Sequence, residues 1–296
     1  MTTKSILETA GDSVDIIAVD DASDIPFEFN EPAPNLKIMR MRRRIGVGPT
    51  RHVGVQAAKT EFILIVDGHM RFQQGWVEAA MERLPGAPKT IHCATCLGLD
   101  QLQQMDITKP RGAYSGARLN ILGPDPNNQA QTQVFEGVWE KDRPNEDGYD
   151  LGCIMGACYF MPREWFFHIG GLKYLRMWGC DEPYLSMKSW LAGGDCRMMK
   201  TVQIGHKFRT GEEQPFKTDM WNILWNKMFC LRTLFNPTES EFLVKRIKHS
   251  VERKRACEQL EADSRIVEVE RLYNQSIFTR DLSWYCEKFG IRYPLT

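Results

Sequence analysis

Hydrophobic positions along the chain fall into two rhythms. Up to about residue 215, short unbroken apolar runs alternate with amphipathic segments; from Phe216 onward, apolar residues recur every three or four positions. The clearest run is Phe62-Ile63-Leu64-Ile65-Val66, which leads straight into Asp67-Gly68-His69. A short apolar run without polar alternation predicts a strand buried on both faces. Asp15 to Val19 predicts a second such strand, and Leu36 to Met41 a weaker one that runs into Arg42-Arg43-Arg44. Residues 4–10 read as the end of a helix. The turn Gly46-Val47-Gly48-Pro49-Thr50 predicts the cap of a helix over 50–59. Gly75 to Leu84 predicts a short helix stopped by Pro85-Gly86, and Thr90 to Leu97 a further strand. Strand–helix–strand alternation predicts an α/β domain around a mostly parallel central sheet.

Residues 100–150 break the rhythm. They are polar, rich in Asn, Gln, Gly, Pro and Asp, and weakly periodic, which predicts a loop-like segment lying over a site. Order returns over Gly152 to Met161, followed by a short helix over 163–169, a helix from Asp181 to about Ala192, and a strand from Met198 to Ile204 that ends in Gly205-His206. Met220, Trp221, Leu224, Trp225, Met228 and Phe229 then form a helical stripe, stopped before Asn236-Pro237. Thr238-Glu239-Ser240-Glu241 reads as a capping box for the next helix, which carries Lys245, Arg246, Lys248, Arg253, Lys254 and Arg255. The expected organisation is an α/β domain over 1–215 and a helical extension over 216–296.

Composition narrows the class without naming a function. Of 296 residues, 43% are hydrophobic and 26% charged, as in ordinary soluble globular chains. The 38 basic residues balance the 38 acidic ones, so whole-chain charge selects no polyanionic partner. No stretch is long and apolar enough to span a membrane, and nothing behind Met1-Thr2-Thr3-Lys4 resembles a signal core. Nine scattered cysteines are read as reduced thiols, and the expected location is the cytoplasm. His92-Cys93-x-x-Cys96 has half the spacing of a zinc site but no second pair, so buried thiols on a strand are the better reading.

The chemistry-bearing residues gather at strand ends. In extended chain, residues i and i+2 face the same way, so Asp67 and His69 can address one point beyond the strand. Ligands of open α/β sheets bind at that edge. His206 follows another predicted strand and can reach the same edge. A mixed carboxylate–imidazole set suits a borderline divalent ion such as manganese; the plainer alternative is a loop turn and a structural histidine. Asp20, Asp21 and Asp24 follow the first strand and can hold a ribose or base, or form an Asx turn. Arg44 and Arg51 flank the glycine-rich turn, as phosphate or base contacts or as solvated surface. Asp181-Glu182 stands at a helix start after Trp178-Gly179, either as dipole-stabilising acids or with a general base among them. The basic runs lack interleaved aromatics, so their nucleic-acid signal is weak.

Taken in order, these segments resemble the GT-A-fold glycosyltransferases, closest to the polypeptide N-acetylgalactosaminyltransferase family and related to family 2. The resemblance rests on Ile16 through Asp24; on Gly46 through Arg51, Gly54 and Phe62–His69 to Gly75-Trp76; and on Gly156–Phe160 through Phe166–Gly171 and Trp178-Gly179 to Gly205–Arg209. A fainter match is Leu282–Glu287. The resemblance implies a Rossmann-like nucleotide-sugar-binding domain with a UDP-sugar as donor and Mn2+, or another divalent cation such as Mg2+, as cofactor. It implies metal ligation by Asp67, His69 and His206, and donor contacts from Asp21, Arg44 and Asp67. Gly156 and Trp178 would wall the donor sugar, Asp181 would hold its hydroxyls, and Arg209 would meet the diphosphate.

The chain departs from that pattern in three places. The family's first strand would precede residue 4. Glu182 stands where retaining members carry Asn, whereas inverting GT-A enzymes with Trp-Gly-Gly-Glu-Asp carry a catalytic carboxylate there. No lectin domain or membrane anchor is present, which directs the expectation away from a Golgi role. The expected function is a metal-dependent glycosyltransferase with Glu182, Asp181 and Arg209 as catalytic residues. Its acceptor would be a hydroxyl of a glycan, a protein or a hydroxymethylated base in viral DNA, in a bacterial or phage-infected cell. A nucleotidyltransferase of similar fold and a non-catalytic sugar-nucleotide or glycan binding module are the alternatives.

Overall fold

The computed structural model describes residues 1–99, 113–125, 128–141, 146–209 and 219–294. Helix α1 (Thr2–Ala10) leads to strand β1 (Ile16–Asp20), which pairs in parallel with β2 (Leu36–Arg40), Ile16 opposite Leu36 and Asp20 opposite Arg40. These two strands form a small sheet of their own. Helix α2 (Val47–Ala57) starts at Gly46, which adopts φ 97° and packs so closely that a Cβ there would lie 2.0 Å from the Met177 Cα. Only glycine fits both the positive φ and the contact.

The main sheet begins with β3 (Phe62–Val66) and β4 (Met70–Phe72). After α3 (Trp76–Met81), β5 (Thr90–Gly98) runs through its middle as an almost wholly buried strand. The α/β class holds, but the pairing is not mostly parallel. One edge of β5 pairs in parallel with β9 (Asp195–His206), while β8 (Cys158–Pro162) inserts between β3 and β5 antiparallel to both. All five residues of β8 are buried, so this run takes a central position although it comes late in the chain. Strand–helix–strand alternation describes only the elements in order; it does not reveal a later strand that separates them in space.

The expectation of a loop over 100–150 is also corrected. Two long strands, β6 (Ala113–Asp125) and β7 (Asn128–Lys141), form an antiparallel ribbon attached to the far part of β5. Ala117, Leu119 and Ile121 are buried while Arg118 and Asn120 between them are not, the period of two that a half-buried strand needs. The surrounding polar residues masked that alternation. Residues 100–112 and 142–145 of the expected loop lie outside the described residues, as does the expected 215/216 boundary.

Helices α4 (Arg163–His168), α5 (Asp181–Leu191) and α6 (Met220–Leu234) pack on the sheet, and α7 (Pro237–Arg246), α8 (Val251–Ala262), α9 (Ser264–Ile277) and α10 (Leu282–Lys288) follow. The predicted stripe forms α6, with Trp225, Met228 and Phe229 in one continuous core with the sheet. Helix α7 is capped at Asn236, ahead of the expected Thr238: Asn236 accepts from Glu239 N at 2.9 Å and Pro237 opens the helix. Inside the protein, Lys188 of α5 donates to Glu270 of α9 at 2.6 Å, and Tyr184 to the same carboxylate at 2.8 Å. The late helices are thereby tied to the helix that carries Asp181 and Glu182. His92, Cys93 and Cys96 lie buried in β5, and burial pushes the Cys93 thiol up to about 12, as expected of inert thiols.

Candidate metal and donor site

Three strand ends meet at one point. Asp67 directly follows β3, and its N–H bonds Ala157 O at 3.2 Å. His206 closes β9, where it lies opposite Met70 of β4, one residue after His69. Pairing of β4 with β9 therefore brings the two imidazoles together, with ring centroids 4.7 Å apart. Asp67 Oδ2 lies 3.9 Å from His69 Nε2 and 3.7 Å from His206 Nε2. One ligand atom from each of the three residues falls within 4.8 Å of the others, the metal-capable cluster found among the described residues.

The donor set fits a divalent ion. Neighbouring ligands of an octahedral ion with bonds of about 2.2 Å lie about 3.1 Å apart, so side-chain shifts of under about 1 Å would close the shell. Burial pushes His69 down to about 4, reinforced by His206, Arg209 and Lys207 against the pull of Asp67. Its imidazole is therefore neutral near pH 7, with a lone pair to give. Burial works to raise the Asp67 carboxyl, but the His206 imidazole 3.7 Å away and the Arg51 charge outweigh it and hold it below its ordinary value.

Arg51 organises the other side of the site. Its guanidinium donates to Asp67 Oδ1 at 2.7 Å, Gly156 O at 3.0 Å, Glu182 Oε1 at 3.1 Å and Asp181 Oδ2 at 3.3 Å. The two oxygens of Asp67 are thus divided, one held by Arg51 and one turned to the histidines. Neither a phosphate contact nor a solvated cation describes this residue: Arg51 is largely covered in α2 and bridges Asp67 to the Asp181–Glu182 pair far along the chain. The sequence signal for it was only its place one turn into a helix beside a glycine-rich cap. A Cβ at Gly156 would lie 2.1 Å from Glu182 Oε1, so the glycine leaves room for that carboxylate.

Asp181 and Glu182 open α5 side by side but differ in environment. Burial, then the charge of Glu182, pushes Asp181 up to about 7 against the pull of Arg51. Glu182 is the more accessible of the two, with 24% of its side chain exposed against 4% for Asp181. Trp178 stands 46% exposed on the same cavity, on a loop fixed by Asn226, whose amide donates to Arg176 O at 2.6 Å and Gly179 O at 3.0 Å. Helix α6 therefore helps to position the cavity wall.

One cavity of about 1400 Å³ is lined by every residue that the resemblance implicates, Asp21, Arg44 and Arg209 among them, whereas Asp24 does not line it. Arg44 and Arg209 are exposed at this cavity. The Asp21 carboxylate is engaged within the protein, accepting from Ile45 N and Gly46 N at 2.7 Å each, so it shapes the turn ahead of α2. Trp139, from the segment expected to be loop, also lines the cavity and faces His206 at 6.1 Å and Phe208 at 5.7 Å. Its signal was a lone tryptophan at the end of a weakly alternating run.

Comparison with known proteins agrees with this arrangement. The family described as Glycosyl transferase family 2 matches residues 1–170. Polypeptide N-acetylgalactosaminyltransferase 3 of Drosophila melanogaster is 24% identical over 232 residues, 75% of this chain and 34% of that protein. Polypeptide N-acetylgalactosaminyltransferase 10 of Rattus norvegicus is 26% identical over 202 residues, 66% of this chain and 32% of its own length. The chain thus spans about a third of these relatives. A solved structure, GalNAc-T7 with UDP, GalNAc and Mn2+, superposes with a TM-score of 0.63 at 16% identity, covering 97% of this chain and 53% of that one, which shows a shared fold. No helix among the described residues is long and apolar enough to cross a membrane.

Proposed function

This chain belongs to glycosyl transferase family 2, and from that premise we propose that it transfers a sugar from a UDP-sugar to an acceptor hydroxyl with the help of a divalent cation such as manganese. The observation that carries the proposal is the convergence of Asp67, His69 and His206 on one point beside an acid pair in a cavity large enough for a nucleotide sugar. An ion bound by these three residues would neutralise and orient the leaving diphosphate. That GalNAc-T7 was crystallised with UDP, GalNAc and Mn2+ supports the choice of donor class and ion.

The residues of the chain divide the remaining work. Arg209, exposed beside His206, adds positive charge where the diphosphate departs. Arg44 and the turn that Asp21 holds line the same cavity and offer contacts to the nucleotide. Gly156 and Trp178 wall the sugar, and the buried Asp181, whose carboxyl burial pushes up to about 7, exchanges hydrogen bonds with its hydroxyls. Glu182 takes the acceptor proton as general base, a contribution of about 10²–10⁴ in rate. An acid in that role gives inversion at the sugar carbon.

The acceptor hydroxyl belongs to a glycan, a protein or a hydroxymethylated base in DNA. Steep loss of acceptor binding with added salt selects DNA among these, and insensitivity to salt removes it. A panel of UDP-sugars with Mn2+, read by mass spectrometry, tests the whole reading: one donor is consumed and UDP released. Glu182→Gln is expected to keep donor binding and lose transfer; substantial transfer by that variant rejects the base assignment.

A further inference from the structure

The amino end of β5 carries a second recess. At its carboxyl end β5 meets the metal site, with Gly98 opposite His206 of β9. His92 lies six residues back, opposite Arg197 and about 20 Å away along the strand. A recess of about 620 Å³ opens there, between the starts of β5 and β9 and the segment that joins α3 to β5. None of its lining residues lines the donor cavity.

Its floor is His92, only 6% exposed, yet neither ring nitrogen has a hydrogen-bond partner among the described residues. Asp195 Oδ1 is likewise covered and unpartnered, while its Oδ2 holds Arg197 at 2.9 Å. Asp195 and Arg197 are two apart on β9, and Arg197 is in register with His92, so all three side chains share one face of the sheet. Burial pushes His92 down to about 4, with Arg197 and Arg83 reinforcing it against the pull of Asp195. The ring is therefore neutral near pH 7 and offers one N–H and one lone pair. A donor and two acceptors left covered without partners are costly, and native chains satisfy such groups with a ligand or ordered water.

The lining selects the chemistry of that ligand. Its charges balance, Glu82, Asp147 and Asp195 against Arg83, Lys89 and Arg197, so it favours neither an anion nor a cation. Arg83 is already held by Asp147 at 2.6 Å, and the metal-capable cluster among the described residues lies elsewhere, at Asp67. The unmet groups are a mixture of donor and acceptors, which hydroxyls satisfy because each both gives and accepts. Ala87, Pro88 and Met198 add apolar surface for the C–H face of a ring. The recess far exceeds the share of one water, about 30 Å³. We propose that it is a second carbohydrate site, separate from the donor cavity, which holds one neutral hexose unit. Ring hydroxyls donate to Asp195 Oδ1 and to the His92 lone pair, and one accepts from the His92 N–H. Far from the metal ligands, this unit is held and not transferred.

Histidine-ring NMR of the folded chain tests this. The chain has six histidines; His92→Gln identifies the His92 signals, and those of His69 and His206 report the donor cavity separately. Glucose, galactose, N-acetylglucosamine and N-acetylgalactosamine are titrated one at a time, with glycerol and inorganic phosphate as controls. At least one sugar is expected to shift the His92 signals with half-saturation at about 1–10 mM, the range that the modest energy per atom of small ligands sets. Glycerol and phosphate are expected to leave them in place. Asp195→Ala should weaken that sugar about tenfold or more, since it removes the second unpartnered acceptor. No His92 shift with any of the four sugars, or shifts confined to His69 and His206, overturns the site. An equal shift with glycerol or phosphate overturns the assignment to a sugar ring, and unchanged affinity in Asp195→Ala overturns the binding mode.

Discussion

At the His206 end of the cavity, side chains interlock; at the β1 end, backbone edges stand apart. Both ends hold an arginine–aspartate pair, and the pairs differ in setting. Arg51 is only 12% exposed and is shared by Asp67, Asp181 and Glu182. Arg40 is 42% exposed and bridges Asp20 at the rim of a two-stranded sheet. A buried cation that neutralises several acids cannot be removed without leaving uncompensated charge, whereas an exposed partner is readily replaced by water. The His206 end is thus held by shared charge among largely covered side chains, and the β1 end by local backbone bonds.

Four changes test that contrast, from strong to weak. Arg51→Ala should cost about 2–3 kcal/mol of stability in denaturant unfolding, because the buried Asp181 and the half-buried Asp67 and Glu182 lose their counter-charge. A cost under about 1 kcal/mol would mean that the acids relax without it. Acid titration comes next. Burial pushes His52, packed against Phe166 and accepting from Leu172 N, down to about 4, with Lys173 and Lys188 adding to the effect. Its folded value is below the unfolded one, so the stability it contributes is complete above about pH 6.5 and is lost as pH falls toward 4. His52→Gln should flatten the thermal-midpoint profile in that window.

Arg40→Ala should cost only about 0–1 kcal/mol, since its partner stays supported. Burial raises Asp20, but Ser23 N–H, Phe27 N–H and Arg40 outweigh it and hold the carboxyl at about 2. The stability from Asp20 is therefore present above about pH 4 and lost only as pH falls toward 2, below the histidine window. Gly156→Ala should be the mildest in stability, under about 1 kcal/mol, because the new Cβ meets the far end of the Glu182 side chain, which can swing aside. Its effect should appear in transfer, with Glu182 displaced; full activity would disconnect Glu182 from the chemistry.

The metal end was largely legible in the sequence. Asp67 and His69 are two apart at the end of an apolar run, so strand geometry alone aims them together, and the family resemblance brought in His206. The four bonds of Arg51 were hidden because they depend on segments up to 131 residues away; local pattern offers only a cation in the first turns of a helix. Trp139 was hidden by polar neighbours that blurred the alternation of β7. Strand direction in the main sheet was not legible either, because β8 comes from beyond residue 150 to lie between β3 and β5. The half-burial of Ile16–Val19 contrasts with their wholly apolar sequence, and that conflict is visible only when sequence and structure are compared.

The central claim is that Asp67, His69 and His206 form one divalent-ion site. Titration of Mn2+ into the folded chain, followed by electron paramagnetic resonance and needing neither donor nor acceptor, tests it most directly. The account predicts one saturable class of bound ion, and a loss of affinity of at least about 100-fold in His206→Ala with the fold intact by circular dichroism. Equal Mn2+ affinity in the two proteins would contradict it.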